Sequence, residues 1–160
     1  MNLSALVTEV CERLSTHLAA ADCALSCAIE PDVVGWWDKS YLERAVTNIV
    51  SNAVKYGRGK PIDVTVARDG GRARVIVRDR GIGVASADRE RIFQRFERAV
   101  SSSNYGGFGL GLWIARETIG ALAGTVNVTS EVGAGAEFVI ELPVTSPGAP
   151  RSTQPGRART

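Results

Sequence analysis

One histidine, His17, is all the sequence offers in 160 residues. It has no apolar run near the ~18 residues that span a bilayer, and no charged-then-apolar leader is visible. The expected setting is cytosolic, with no membrane contact by this chain; a membrane-anchored parent protein is compatible with that. The three cysteines, Cys11, Cys23 and Cys27, are an odd number without the close spacing of a metal site. Free buried thiols are therefore expected. Nor is there a large excess of either charge: the formal net charge is +2. From Ser146 to Thr160 lie Arg151, Arg157 and Arg159 and no acid, so the rest of the chain is near neutral. A near-neutral body argues against a nucleic-acid-binding domain. The tail is rich in Pro, Gly, Ser and Thr, the composition of a disordered basic segment. No internal repeat is present. What remains is ordinary for one soluble globular domain, with 44% hydrophobic and 22% charged residues.

Periodicity gives the elements. Leu3, Leu6, Val7, Val10, Leu14 and Leu18 recur at helical spacing, with Asn2 or Ser4 as the cap. Leu25 to Glu30 and Val33 to Trp37 read as short strands around Pro31. Asp38 can cap a second helix, in which Leu42, Val46, Ile49, Val50 and Ala53 form an apolar stripe; Gly57, Gly59 and Pro61 end it. Ile62, Val64 and Val66 alternate, as do Ala73, Val75 and Val77, with Asp69-Gly70-Gly71 between them. That pattern predicts a β-hairpin. Ala87 to Phe96 reads as a short helix and Glu97 to Gly107 as a mobile loop. A helix from about Gly109 to Ala123 and strands at Thr125 to Ser130 and Ala136 to Leu142 close the chain. The predicted fold is an α/β two-layer sandwich: a mixed, mostly antiparallel sheet with helices on one face.

Three segments carry chemistry. Asn48, Asn52, Lys55 and Tyr56 fall on one stripe of the second helix, roughly opposite Val46, Ile49 and Val50. An amide oxygen is a hard ligand suited to Mg²⁺, and a lysine one turn away can offset phosphate charge. A merely solvated polar face would look the same. Asp79-Arg80-Gly81-Ile82-Gly83 follows a strand. The carboxylate can accept a hydrogen bond from an exocyclic amine such as adenine N6, and Gly81 and Gly83 let the backbone approach a flat ring. A plain turn is the alternative. Gly106-Gly107-Phe108-Gly109-Leu110-Gly111-Leu112 opens a helix, where free N–H groups favour anions. It is neither a Gly-x-Gly-x-x-Gly dinucleotide turn nor a Walker loop, and a flexible hinge is the alternative.

The order of these blocks resembles the ATP-binding (Bergerat-fold) domain of bacterial sensor histidine kinases. An Asn-x-x-x-Asn-Ala-x-Lys-Tyr helix precedes a hairpin ending in Asp-x-Gly-x-Gly. Phe93-x-x-Phe96 and Gly-x-Gly-Leu-Gly-Leu follow. The similarity runs from about Asn2 to Pro143. It implies Mg²⁺ ligation by Asn52, with Asn48 near the phosphates, Lys55 contacting them and Tyr56 lining the pocket. It implies adenine recognition by Asp79, with Gly81 and Gly83 beside the base. It implies a lid from Glu97 to Phe108 anchored by Phe93 and Phe96, and a phosphate cradle at Gly107, Gly109, Leu110 and Gly111. Arg98, the only basic residue in the lid, is a candidate γ-phosphate contact; a surface arginine is the alternative.

Two departures narrow the reading. Where the family often has Gly-Thr-x-Phe, this chain has Gly135-Ala136-Glu137-Phe138 and lacks one hydroxyl. Relatives that hydrolyse ATP, and anti-sigma-factor serine kinases, carry a glutamate base four residues before the Mg²⁺ asparagine. Here that residue is Asn48, whose amide accepts no proton near neutral pH. Histidine needs no such base, because imidazole is already nucleophilic. The family's acceptor histidine is followed by an acid, whereas His17 is followed by Leu18-Ala19-Ala20. A packed or half-buried His17 is expected from its helical angle.

The resemblance thus implies residues 1–20 as a helix after an absent dimerisation hairpin, 21–145 as the catalytic domain and 146–160 as the tail. The implied activity is that of a protein-histidine kinase catalytic domain that is not self-sufficient. It would bind ATP and Mg²⁺ and phosphorylate a histidine-bearing dimerisation domain, with a response regulator as indirect partner. The isolated chain is expected to be a monomer. An ATP-binding regulatory module without phosphotransfer is the rival reading.

Overall fold

The computed structural model describes residues 1–95 and 110–144. The predicted lid, Phe96, Arg98, Gly107, Gly109 and the basic tail lie outside the described residues.

Two helices open the chain, α1 (Leu3–Arg13) and α2 (Ser15–Ala20). The single predicted helix is broken at Leu14, so the apolar residues on either side bury from two separate pieces. Asn2, not Ser4, is the cap: its side chain accepts from the Ala5 N–H at 3.0 Å. Ser4 is buried and ties α1 to the next segment. His17 on α2 is exposed rather than packed or half-buried.

Strand β1 (Leu25–Ile29) pairs parallel with β2 (Ile62–Asp69), and β2 forms the predicted hairpin with β3 (Arg72–Arg78). Gly70, at φ 57°, makes the turn. Strands β4 (Thr125–Glu131) and β5 (Gly135–Pro143) are antiparallel, and the sheet order is β1-β2-β3-β5-β4. The result is the predicted α/β sandwich, with one parallel pair and three antiparallel ones. Val33 to Trp37 is not a strand. Val34 makes one isolated bridge to Asn2, and Trp37 donates from Nε1 to the Pro143 carbonyl at 2.7 Å. Its in–out alternation mimics a strand, but it has no ladder partner.

Register explains the core. Val64, Val77, Phe138 and Val128 line up across the sheet, as do Val66, Val75, Ile140 and Val126. Onto this apolar face pack α1, α3 (Lys39–Tyr56) and α4 (Gly111–Ala121). The other face is polar and partly exposed, with Asp63, Arg78, Glu137 and Thr129 in one row. Asp38 caps α3 by accepting from the Ser40 and Tyr41 N–H groups. The helix predicted over Ala87 to Phe96 is instead two short 3₁₀ turns, Ser86–Asp88 and Arg91–Phe93. Among the described residues of that stretch only Ile92 and Phe93 are buried, too few for an amphipathic α-helical face.

Candidate functional site

Helix α3 separates its faces as its sequence predicts. Leu42, Ala45, Val46, Ile49, Val50, Ala53 and Val54 are buried. Asn48, Asn52, Lys55 and Tyr56 are only partly buried, on the stripe left over. The Lys55 ammonium lies 5.6 Å from the centroid of the Tyr56 ring. Helix α4 packs along α3 and brings Gly111, at its start, to this stripe. At Gly111 a Cβ would stand 3.5 Å from the Asn48 amide oxygen. Leu110 begins α4 without a side-chain cap, and the first turn holds no acid. The N–H groups of that turn therefore have no intrahelical acceptor, beside an amide of α3.

Asp79 sits at the end of β3 and is 2% exposed. Its Oδ1 accepts from the Gly81 N–H at 2.9 Å and the Ala136 N–H at 3.3 Å. Its own N–H donates to the Ala136 carbonyl at 2.9 Å. Among the described residues, Oδ2 makes no hydrogen bond. Burial pushes the carboxyl above its ordinary value of 3.8, against the lowering effect of the two backbone donors. The carboxylate is thus held by one oxygen and presents the other as an unused acceptor.

Glycines make this close packing feasible. A Cβ on Gly81 would meet the Tyr56 carbonyl oxygen at 1.9 Å, so the Asp79 turn rests directly on the end of α3. Gly135, at φ 88°, brings β5 against the Asp79 backbone, where a Cβ would fall 2.1 Å from its carbonyl oxygen. The loop after Gly83 is pinned by Ser130, whose hydroxyl accepts from the Val84 N–H at 2.8 Å and donates to the Gly135 carbonyl at 2.5 Å. Phe93 is buried edge-on against Phe138, centroids 6.2 Å apart, with the Arg116 guanidinium 4.6 Å from its centroid.

The structure therefore brings Asn48 to Gly111, and Tyr56 to Gly81 beside Asp79. Phe93 lies in the core behind β5. Ser130, Gly135 and the Ala136 backbone help to fix Asp79, and none of the three motif segments contains them. Gly135 and Ala136 depart from the family motif, yet the Ala136 N–H makes its bond whatever the side chain. A cavity of about 260 Å³ opens between Arg78, Asp79, Thr129, Glu131, Ala134 and Glu137. None of the α3 stripe lines it. Among the described residues, no three metal-ligating side chains of the His, Cys, Asp or Glu type converge, and no helix is long and apolar enough to cross a membrane. An Mg²⁺ bound through one amide, phosphates and water would need no such cluster.

Known proteins resemble this chain in sequence and in fold. Residues 37–146 match the family model described as histidine kinase-, DNA gyrase B-, and HSP90-like ATPase. The sensor-like histidine kinase SenX3 of Mycobacterium tuberculosis is 39% identical over 145 residues, covering 85% of this chain and 35% of that protein. The sensor histidine kinase RppB of Synechocystis is 36% identical over 148 residues, covering 90% of this chain and 33% of its own length. The chain thus spans about a third of the curated relatives it matches. Among solved structures, full-length ShkA in complex with AMPPNP superposes with a TM-score of 0.76 at 32% identity, over 93% of this chain and 31% of that one. The mycobacterial sensor histidine kinase MprB gives 0.76 at 26% identity, over 89% and 95% of the two chains.

Proposed function

Because the chain belongs to the family of histidine kinase-, DNA gyrase B- and HSP90-like ATPases, we propose that it binds Mg-ATP as the catalytic domain of a two-component sensor histidine kinase. It donates the γ-phosphoryl group to a histidine on a dimerisation domain that these residues do not form, and a response regulator receives the group afterwards. The observation that carries this reading is Asp79: a buried carboxylate fixed through Oδ1 by two backbone donors, with Oδ2 left for an exocyclic amine. The relative bound to AMPPNP, an adenine nucleotide analogue, supports the choice of base.

In this reading Gly81 and Gly83 flank the base and Tyr56 lines its pocket. Asn48, Lys55, Gly107, Gly109, Leu110 and Gly111 face the phosphates. Phe93 and Phe96 anchor the lid, and Arg98 reaches the γ-phosphate. Asn52 supplies an amide oxygen to Mg²⁺, which would neutralise phosphate charge. The residues of this chain work by positioning and charge balance. Asn48 offers no base to activate water or a serine, and the incoming imidazole needs none. Residues 1–20 then serve as the lead-in to 21–145, with 146–160 as a tail, and the isolated chain is a monomer.

Titration calorimetry with Mg-ATP tests the pocket, and transfer from ATP to a separately purified dimerisation domain tests the activity. Binding without transfer would place the chain among regulatory nucleotide-binding modules instead. Absence of binding at millimolar nucleotide would overturn the reading altogether.

A further inference from the structure

Cys11 is buried on the last turns of α1, and Cys27 is exposed in the middle of β1, an edge strand. Ser4 fixes how the two elements lie. Its hydroxyl donates to the Glu30 carbonyl at 2.6 Å and accepts from the Val33 N–H at 3.0 Å. The start of α1 therefore sits at the end of β1. Cys11 follows Ser4 by seven residues, about two turns and ~10.5 Å along the same helix face. Cys27 precedes Glu30 by three residues, ~10 Å back along the strand. Equal steps from one contact bring the two thiols level. Side-chain parity agrees: Cys27 pairs with Val64, whose side chain is in the core, so both point to the helix side of the sheet. Burial first, and then the neighbouring Cys27 thiol, push the Cys11 thiol up to about 12.

We propose that Cys11 and Cys27 form a reversible oxidation site that takes a hydroperoxide and closes to a disulfide, tying α1 to the sheet edge. The exposed Cys27 reacts first. Its thiolate attacks one peroxide oxygen, a sulfur–oxygen bond forms, the oxygen–oxygen bond breaks, and the leaving oxygen departs protonated. The Cys11 sulfur then attacks the Cys27 sulfenic acid. The sulfur–sulfur bond forms, the sulfur–oxygen bond breaks, and hydroxide leaves with the Cys11 proton as water. Two thiols and one hydroperoxide become one disulfide, one alcohol or water, and one water. Cys23 is not the partner: its thiol is buried and directed at the Gly57 and Ala21 carbonyls, 3.4 and 3.6 Å away. The site stands apart from the nucleotide reading and survives its failure.

The test treats the reduced 160-residue chain with hydrogen peroxide, blocks remaining thiols and digests it with trypsin without reductant. Cleavage after Arg13 and Lys39 leaves Cys11 in residues 1–13 and both Cys23 and Cys27 in residues 14–39. The two peptides should stay linked, lighter by two hydrogen atoms than their sum, with one of the three thiols still blockable. Dithiothreitol should separate them. The unreduced protein should unfold at a higher temperature than the reduced one. The link should vanish in Cys27→Ser, a change at an exposed position, and persist in Cys23→Ser. Separate peptides after peroxide, a link that survives Cys27→Ser, or two 14–39 peptides joined to each other would each overturn the proposal.

Discussion

Replacing Asp79 by asparagine should weaken nucleotide binding sharply while leaving the fold almost untouched. The substituted amide oxygen can still accept from the Gly81 and Ala136 N–H groups, which hold Oδ1 at 2.9 and 3.3 Å. The two bonds weaken when the acceptor loses its charge, but a buried carboxylate no longer needs desolvating. These effects oppose each other, so the unfolding free energy should change by no more than about 1 kcal/mol. At the pocket the change is one-sided. In place of Oδ2, an amide N–H₂ would face the adenine amine, donor against donor. Losing one hydrogen bond to a charged acceptor costs about 1.5–3 kcal/mol, so Mg-ATP should bind roughly 10- to 150-fold more weakly. Calorimetry measures binding and denaturant unfolding measures the fold on the same preparation. Asp79→Ala is the contrast: it strands two backbone donors and should destabilise the protein by about 2 kcal/mol or more. An Asp79→Asn protein that binds Mg-ATP as tightly as the unchanged chain would refute the assignment of Asp79 to the base.

Further outcomes follow from the same contacts. Asp79 titrates above its ordinary 3.8 because it is buried, so protonation should begin to weaken nucleotide binding at pH values above that figure. The same shift makes its contribution to stability present below 3.8 and lost as pH rises through the raised value; calorimetry and unfolding across pH 4–7 on the unchanged chain and Asp79→Asn separate the two effects. Gly81→Ala would set a Cβ 1.9 Å from the Tyr56 carbonyl oxygen, forcing the turn off α3. It should lower the unfolding free energy by about 1–3 kcal/mol and weaken nucleotide binding. Gly120→Ala, on α4 with open space around it, should instead add about 0.5–1 kcal/mol in a thermal melt. Phe138→Ala empties the site under Phe93 and should cost about 3–5 kcal/mol by denaturant unfolding.

Much of this molecule was legible from periodicity, because its elements carry unmixed signals. Helix α3 buries Ile49, Val50 and Ala53 and leaves Asn48, Asn52 and Tyr56 partly exposed, as a 3.6-residue repeat requires. The β2–β3 hairpin is equally plain, since its alternation is strict and its turn carries two glycines. Errors arose where local pattern and tertiary partner disagree. Val33 to Trp37 alternates like a strand, but pairing is a non-local property and that stretch has a single bridge. Helical angle places His17 near the buried arc, but α2 is only six residues long and His17 is exposed on it. Its exposure removes burial as a reason against phosphorylation and leaves the missing acid after it as the reason. At the candidate site, the side chains were visible because they form an ordered series. The supports were not: Ala136 acts through its N–H and Gly135 through what it lacks, and neither leaves a signature in residue type.

The central claim is transfer to a histidine outside the described fold, and one labelling experiment meets it directly. The chain is incubated with Mg²⁺ and γ-radiolabelled ATP, alone and with a separately purified dimerisation hairpin from a related sensor kinase. Acid-labile label should accumulate on the added hairpin and not on this chain. Strong acid-labile label on His17 in the chain alone, or none on the hairpin while Mg-ATP is bound, would contradict the account.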